Sequence, residues 1–374
     1  MRFTVSSTAL SSKLTALSRV INSKNSLPIL ADFVFDIQSG MLRLTASDSE
    51  NVMNTQLDLT DSDGDGRFAI GNHDLLEAVK GFSEQPITFD VNLESNIAKI
   101  SYQNGLFSLP IESADEFPAA QTVGDVATEI VIPNALLAEN INRTLFATAQ
   151  DELRPVMNGI YFDLMPEALA IVASDGHKLV RNKVLTVHSD QPAAFILPKK
   201  PATLLKNLLG KDGGDVVIRF DERSAEVTYG ETMLSCRLIE GRYPNYNSVI
   251  PQDNPNKLSI DRRSLIGTLR RILPFASDSS QLIRFHIEGG NLNLKAEDID
   301  FATNAEENIT CSYNGTPMSI GFKGSSMIEI LNNLDGDEII IELADPSRAG
   351  VIVPAQQPEN EEVLMLIMPM LLND

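Results

Sequence analysis

Cysteine is nearly absent from the chain: only Cys236 and Cys311 occur in 374 residues, one inside a strand-like run and one beside a turn. Two cysteines without motif spacing exclude a cysteine-rich zinc site and suit a reducing cytoplasm. There the three Asn-x-Ser/Thr matches, Asn142-Arg143-Thr144 among them, would stay unmodified. Long apolar runs are missing as well. No run of roughly 18 apolar residues occurs, so no membrane span is expected, and the start, MRFTVSSTAL, lacks the apolar core of a signal peptide. Positive charge is scarce, with 30 Lys and Arg against 51 Asp and Glu and a net charge of −21. Taken whole, that balance argues against a nucleic-acid binder, because phosphate contacts need Lys and Arg. No nucleophile elbow, phosphate loop or HExxH motif is present.

What the chain does contain is one stretch in three copies. Arg154 to Asn182 reads RPVMNGIYFDLMPEALAIVASDGHKLVRN. Its pattern is strand, turn, strand, tight turn, strand, with Ser174-Asp175-Gly176-His177 as the tight turn. Moving back 127 residues places Phe35, Leu42, Ala46 and Asp48 on Phe162, Leu169, Ala173 and Asp175 without a gap. Moving that first copy forward 250 residues places the same four on Phe285, Leu292, Ala296 and Asp298. Three gapless copies mean three like domains.

Each third also repeats a larger plan: a short strand, a polar cap, a helix, the central strands, then a strand and a second helix. The first helices are expected over Ala9 to Ile21, Ala135 to Ala149 and Arg262 to Leu273, after Ser6-Ser7, Pro133-Asn134 and Asp261. Leu10, Leu14 and Leu17 share one helical face, as do Leu137, Ile141 and Leu145. The second helices are expected near His73 to Phe82, Lys199 to Leu209 and Lys323 to Leu334. The first two units close alike, on Glu116-Phe117-Pro118 and Arg242-Tyr243-Pro244, and linkers are expected near 119–128 and 245–256. The implied domains are 1–124, 125–250 and 251–374, an α+β arrangement.

Charge is segregated within this plan. Six helix windows, 7–22, 73–83, 133–150, 199–211, 261–274 and 323–334, hold 13 Lys and Arg against 5 Asp and Glu. They carry +8, and the rest of the chain −29. The excess lies in Lys199, Lys200, Lys206 and Lys211, in Arg262, Arg263, Arg270 and Arg271, and in Lys13 and Arg19, with Lys24 just beyond the first window. Helix surfaces hold Lys and Arg in any protein, but in so acidic a chain Asp and Glu should populate the same faces. A shared basic face accounts for their scarcity.

Two motifs resemble chemistry and fail on inspection. Asp61-Ser62-Asp63-Gly64-Asp65-Gly66 matches the first half of a calcium loop, yet Asn72 stands where the bidentate Glu belongs and the preceding sequence is strand-like. An acidic hairpin turn is the expectation. Ser174, Asp175 and His177 have the residue types of a hydrolase triad, but triads converge from distant segments. The Asp is triplicated and the His is not, which favours a turn, so neither catalysis nor a cofactor is expected.

LPIL at Leu27 to Leu30, RPVMNG at Arg154 to Gly159, SDGHKL at Ser174 to Leu179, GRYPNY at Gly241 to Tyr246 and MPM at Met368 to Met370 carry a resemblance over the whole chain. Together they resemble the β subunit of bacterial DNA polymerase III, the sliding-clamp family. The resemblance implies three domains per chain, each with two helices packed on antiparallel sheet, and two chains closed head to tail into a ring. It implies a non-catalytic processivity factor on double-stranded DNA, sequence-independent, serving the replicative polymerase, the clamp loader and other clamp-binding-motif proteins. By that resemblance Lys24, Gln150, Lys199, Lys200, Arg262 and Arg263 face DNA. The partner-peptide pocket takes Met157, Ser174, Gly176, His177, Lys178, Leu179, Pro244 and Val249 from the middle domain, and Leu366, Ile367, Met368, Pro369 and Met370 from the tail. The ring seam takes Phe107 and Leu109 from one chain and Ile272, Leu273 and Phe275 from the other. Pro369 cannot donate to a sheet ladder, so the last residues should leave it, and Met suits a surface receiving varied partners. Two departures from the family pattern are Leu371, where a basic residue is common, and Lys178, where Arg is commoner. A second reading stays open: an acidic scaffold of repeated domains that binds peptides but no DNA.

Overall fold

The computed structural model describes residues 1–210 and 213–372, and these fall into two compact units. The first holds residues 1–137 and 203–238, the second residues 138–202 and 239 onward. Lys211 lies outside the described residues. Among those described, six α-helices form: α1 Ser7–Leu17, α2 Asn72–Lys80, α3 Asn134–Leu145, α4 Lys199–Leu208, α5 Arg262–Ile272 and α6 Gly324–Asn332. All six stand where the polar caps and leucine spacing predict. Ser6 caps α1 by accepting the Ala9 N–H at 3.2 Å, and Asp261 caps α5 by accepting the Ser264 N–H at 2.6 Å. Helices α1 and α3 stop short of the predicted ends, Ile21 and Ala149. Near each end a hydroxyl takes a last-turn carbonyl, Ser18 donating to Thr15 and Thr148 to Leu145.

The first unit is built on one thirteen-stranded sheet, all of its described pairings antiparallel. The second holds a nine-stranded and a four-stranded sheet. In the first unit strand Asn51–Asp58 pairs with Thr232–Arg237, Asn51 opposite Cys236. In the second unit Lys178–Val184 pairs with Glu361–Ile367 in the corresponding way, Lys178 opposite Ile367. The tail strand thus ends at Ile367, two residues before Pro369, as the missing proline donor requires.

The triplicated residues are the shared skeleton. Phe35, Phe162 and Phe285, Leu42, Leu169 and Leu292, and Ala46, Ala173 and Ala296 are all fully buried. Asp48, Asp175 and Asp298 each accept the backbone N–H groups two and three residues on, at 2.7–3.2 Å. The triplicated Asp is a turn cap. The acidic run is not the expected hairpin turn: Asp61–Asp63 pairs with Arg2–Thr4, whereas the strand that follows, Gly66–Gly71, pairs with Asp32–Ile37, and Asp65 accepts the Ser39 N–H at 3.0 Å.

Candidate functional site

The middle copy of the turn lies in the second unit, and its Ser and Asp side chains are committed to the turn itself. Asp175 Oδ1 takes the N–H groups of His177 and Lys178, and Oδ2 takes the Lys178 ammonium at 2.7 Å. Ser174 Oγ donates to the Lys178 carbonyl at 2.9 Å and accepts the Gly176 N–H at 3.1 Å. These bonds leave no nucleophile–base pair, which removes the hydrolase reading of this turn. Gly176 sits at φ +91°, a conformation that favours glycine, and a Cβ there would lie 3.0 Å from the Arg154 guanidinium, which would have to give slightly. Arg154 lies over the turn, donating to Asp151 at 2.8 Å and toward the Asp175 carbonyl.

Lys178 extends the turn outward. Its buried ammonium also pairs with Glu329 of α6 at 3.2 Å. Burial opposes the charge of both groups, but the Lys178 hydrogen bond and two backbone N–H groups hold the Asp175 carboxyl below the usual carboxylate range. Lys178 is correspondingly raised by Asp175 and Glu329 against its own burial.

The tail meets this turn through its backbone. Met368 N–H donates to the His177 carbonyl at 2.8 Å, and Met370 N–H donates to the Gly321 carbonyl at 2.8 Å. Between them stands Pro369, which has no proton to give. Gly321 allows the approach, since a Cβ there would fall 2.8 Å from the Met370 carbonyl and from the Leu372 side chain. The predicted tail residues therefore divide. Leu366 and Ile367 are strand residues, 3 % and 1 % exposed, whereas Met368 is 41 % exposed and Pro369 and Met370 are half-buried. In the middle domain Gly176, His177, Pro244 and Val249 are exposed, while Met157 and Leu179 are buried. Leu179 and Leu366 belong to one apolar cluster with Tyr243, Tyr246 and Ile250. Tyr161 and Tyr243 stack at 4.6 Å, and Tyr246 donates to Asp163 at 2.8 Å. Sequence reasoning passed over Arg154, Glu329 and Gly321 as site residues. Arg154 opens the RPVMNG motif and could have been found there; Gly321 lies in an unremarkable strand.

The basic residues are less free than their count implies. Lys199 donates to the Ala149 carbonyl at 3.0 Å, and its pKa is lowered by burial and by Lys178. Arg262 donates to the Leu331 and Gly336 carbonyls at the end of α6, 2.9 and 2.6 Å away. Arg263 forms an exposed pair with Asp337 at 3.2 Å, and Arg271 pairs with Glu307. Lys24 and Gln150 are exposed, and Lys200 is half-buried.

Of the expected seam residues, Phe107 and Leu109 are half-buried on strand Gly105–Glu112. Phe107 lies 6.2 Å from Phe82 and from Tyr102. That strand pairs with Ile97–Tyr102 on one side, but on the other only Ile111 and Glu112 have a partner among the described residues. In the second unit Phe275 is exposed and Leu273 half-buried. Ile272 is 2 % exposed and belongs to that unit's core, so it supports a surface there without forming one.

Comparison with known proteins gives three consecutive domain matches. Residues 1–121, 131–245 and 247–371 match the N-terminal, central and C-terminal domain models of the DNA polymerase III beta subunit. The beta sliding clamp of Pseudomonas aeruginosa is 25 % identical over 371 residues, covering 99 % of this chain and 100 % of its own. That of Caulobacter vibrioides is 25 % identical over 381 residues, covering 98 % and 99 %. Among solved structures, the Pseudomonas aeruginosa DNA polymerase III subunit beta superposes with a TM-score of 0.94 at 25 % identity, covering all of both chains. A Bartonella birtlesii sliding clamp, determined bound to griselimycin, gives 0.90 at 25 % identity with the same coverage. With the matched domains following one another over nearly its whole length, the chain belongs to the DNA polymerase III beta subunit family, the bacterial sliding clamps.

Proposed function

We infer that this chain is a DNA sliding clamp, a non-catalytic processivity factor that encircles double-stranded DNA as a homodimer. It tethers the replicative polymerase and other partners carrying clamp-binding motifs, and a clamp loader places it on DNA. The observation that carries the partner site is the middle turn meeting the tail. Only there does the repeated turn acquire Lys178, Arg154 and an apolar tail held by backbone hydrogen bonds. The tail methionines and the exposed Pro244 and Val249 offer a peptide an apolar slot with few polar contacts.

The domains are taken as 1–124, 125–250 and 251–374. Lys24, Gln150, Lys199, Lys200 and Arg263 are the proposed phosphate contacts, which position a duplex without reading its sequence. Arg262 serves chiefly to tie α5 to the end of α6. Phe107, Leu109, Leu273 and Phe275 are the proposed seam contacts. A cytoplasmic location fits two free cysteines, of which Cys236 is buried with its thiol pushed up to about 12 by that burial. Among the described residues no helix is long and apolar enough to cross a membrane.

The test is loading onto nicked circular DNA with linear DNA as control. A ring stays on the circle and slides off linear ends. A scaffold without DNA binding would associate with neither, and that result would overturn the reading. Reversing Lys199, Lys200 and Arg263 to Glu should weaken bare DNA binding and flatten its salt dependence, by about 0.9 in log–log slope for each phosphate that is no longer neutralised.

A further inference from the structure

The triplication allows the middle-repeat site to be compared with its equivalent in the first unit. Leu27 to Leu30 stand 127 residues before Arg154 to Met157. Both segments make a proline-started 3-10 turn, at Pro28–Ala31 and Pro155–Met157. Leu30 N–H donates to the Leu27 carbonyl at 3.1 Å, as Met157 N–H donates to Arg154 at 2.9 Å. The apolar clusters behind them also correspond. Ile29, Val34, Ala69 and Phe117 in the first unit match Val156, Tyr161, Ile196 and Tyr243 in the second. Val34 and Ala69 are much smaller than their counterparts.

In front of the first-unit cluster lies a cleft of about 490 Å³, walled by Leu27, Pro28 and Ile29 and by Glu112, Asp115 and Glu116. Leu27 is 45 % exposed on one side of it. Where the middle repeat has Arg154 and Arg242, this one has Leu27 and Glu116. Among the described residues no Lys or Arg pairs with the three carboxylates, although Ser113 donates to Asp115 at 2.8 Å. The third copy offers no such wall, since Ser277-Asp278-Ser279-Ser280 stand at the positions of LPIL.

We propose that this cleft is a second docking site on the clamp, for a linear peptide whose apolar anchor is flanked by Lys or Arg. The anchor seats against Leu27 and Ile29, and the cations meet Glu112, Asp115 and Glu116. The opposite charge from the Arg154 and Arg242 side of the tail pocket separates the ligands of the two sites. A partner holding both kinds of segment would grip one chain at two points, with the gain in avidity set by its linker.

The probe is a fluorescein-labelled peptide, Lys-Lys-Leu-Ile-Lys-Lys, titrated against the full chain by fluorescence anisotropy, with a Glu-for-Lys version as control. Saturable binding is expected for the basic peptide only, weakening with added salt. Leu27→Asp, and separately the surface pair Glu112→Lys with Glu116→Lys, should weaken it by about tenfold or more. Both keep loading on nicked circles and stay folded by circular dichroism. Met368→Asp, which damages the tail pocket, should leave it unchanged. Absence of saturable binding up to about millimolar protein, persistence in both cleft variants, or loss in Met368→Asp alone would overturn the proposal. The last result would leave the tail-pocket reading intact.

Discussion

Asp48 and Asp175 hold equivalent turns in the first and middle repeats, and their backbone hydrogen bonds coincide. The strand beside each turn closes the same way. Arg237 N–H donates to the Glu50 carbonyl at 3.0 Å, and Met368 N–H donates to His177 at 2.8 Å. The side chains above the two turns diverge. Asn51 offers Asp48 a neutral amide at 3.1 Å, whereas Lys178 gives Asp175 an ammonium that also reaches Glu329. Ser235 and Cys236 occupy the strand positions held in the second unit by Leu366 and Ile367. What the repeats share builds the turn, and what they do not share determines what each turn can bind.

The largest test of that division removes the unshared tail. Deleting residues 368–374 takes away the Met368 and Met370 backbone bonds and all the exposed tail apolar surface, while the ladder up to Ile367 stays. One central anchor typically contributes about 2 kcal/mol or more, so losing several should make polymerase-peptide binding undetectable by anisotropy. Dimerisation by sedimentation and sliding on DNA should survive. Peptide affinity within threefold (roughly 0.7 kcal/mol) of the intact protein would place the pocket elsewhere.

Arg143 is where the division can break, because it is unrepeated (Ala16 stands 127 residues earlier) and yet structural. Its side chain is buried, with Nη1 on Glu361 at 3.0 Å, Nη2 on Asp335 at 2.8 Å and a further pair to Glu139. Asn140 also donates to Glu361 at 2.7 Å. Arg143→Met leaves a buried carboxylate without its cation and should cost about 3–5 kcal/mol. Adding Glu361→Leu should recover part of that loss in urea unfolding. A single variant as stable as the parent would show that the network contributes specificity alone.

A smaller effect compares the two caps directly. Asp48→Ala and Asp175→Ala each lose two backbone hydrogen bonds, and Asp48→Ala should cost about 1 kcal/mol. Asp175→Ala should cost more, since Lys178 keeps only Glu329. Only Asp175→Ala should weaken peptide binding, by about fivefold (~1 kcal/mol). Equal weakening in both variants would mean that the peptide senses overall stability and not the local turn.

The repeat explains which features were legible in the sequence. Phe35, Leu42, Ala46 and Asp48 recur at fixed spacing because the hairpin needs them in every copy, so the triplication, the helices and the Asp-capped turns followed from pattern, while the packing of two helices on antiparallel sheet came from the family resemblance. Pro369 announced the end of the tail strand through its missing proton. The commitment of Arg262 to the α6 carbonyls and the burial of Ile272 did not follow. Each depends on a partner distant in sequence, and a count of charges or apolar residues does not distinguish a paired or buried group from a free one. Gly321 gave no signal either, because its value is the space it leaves for Met370.

The smallest effect comes from a position where the first and middle repeats differ outright. Asp32 pairs with Gly71 in the register that pairs Gly159 with Pro198. Gly159 is obligatory, since a Cβ would lie 2.5 Å from the Leu197 carbonyl, while the first unit accommodates a whole carboxyl. Burial, and then the charge of Glu112, push Asp32 up to about 6 from 3.8. The folded state therefore binds this proton more tightly than the unfolded chain. Its contribution is fully present below pH 3.8 and is lost as pH rises through about 6, beyond which the ionised carboxylate is a penalty. Asp32→Asn removes that penalty. Discounted for a group that is only half-buried, the gain at pH 8 should be about 1 kcal/mol, or roughly 2–4 °C in Tm for a chain of this size. The advantage should shrink as the buffer is brought to pH 5 and vanish below about pH 4. A gain independent of pH would assign the effect to packing of the amide, and a loss at pH 8 would mean that the Asp32 charge stabilises the first unit.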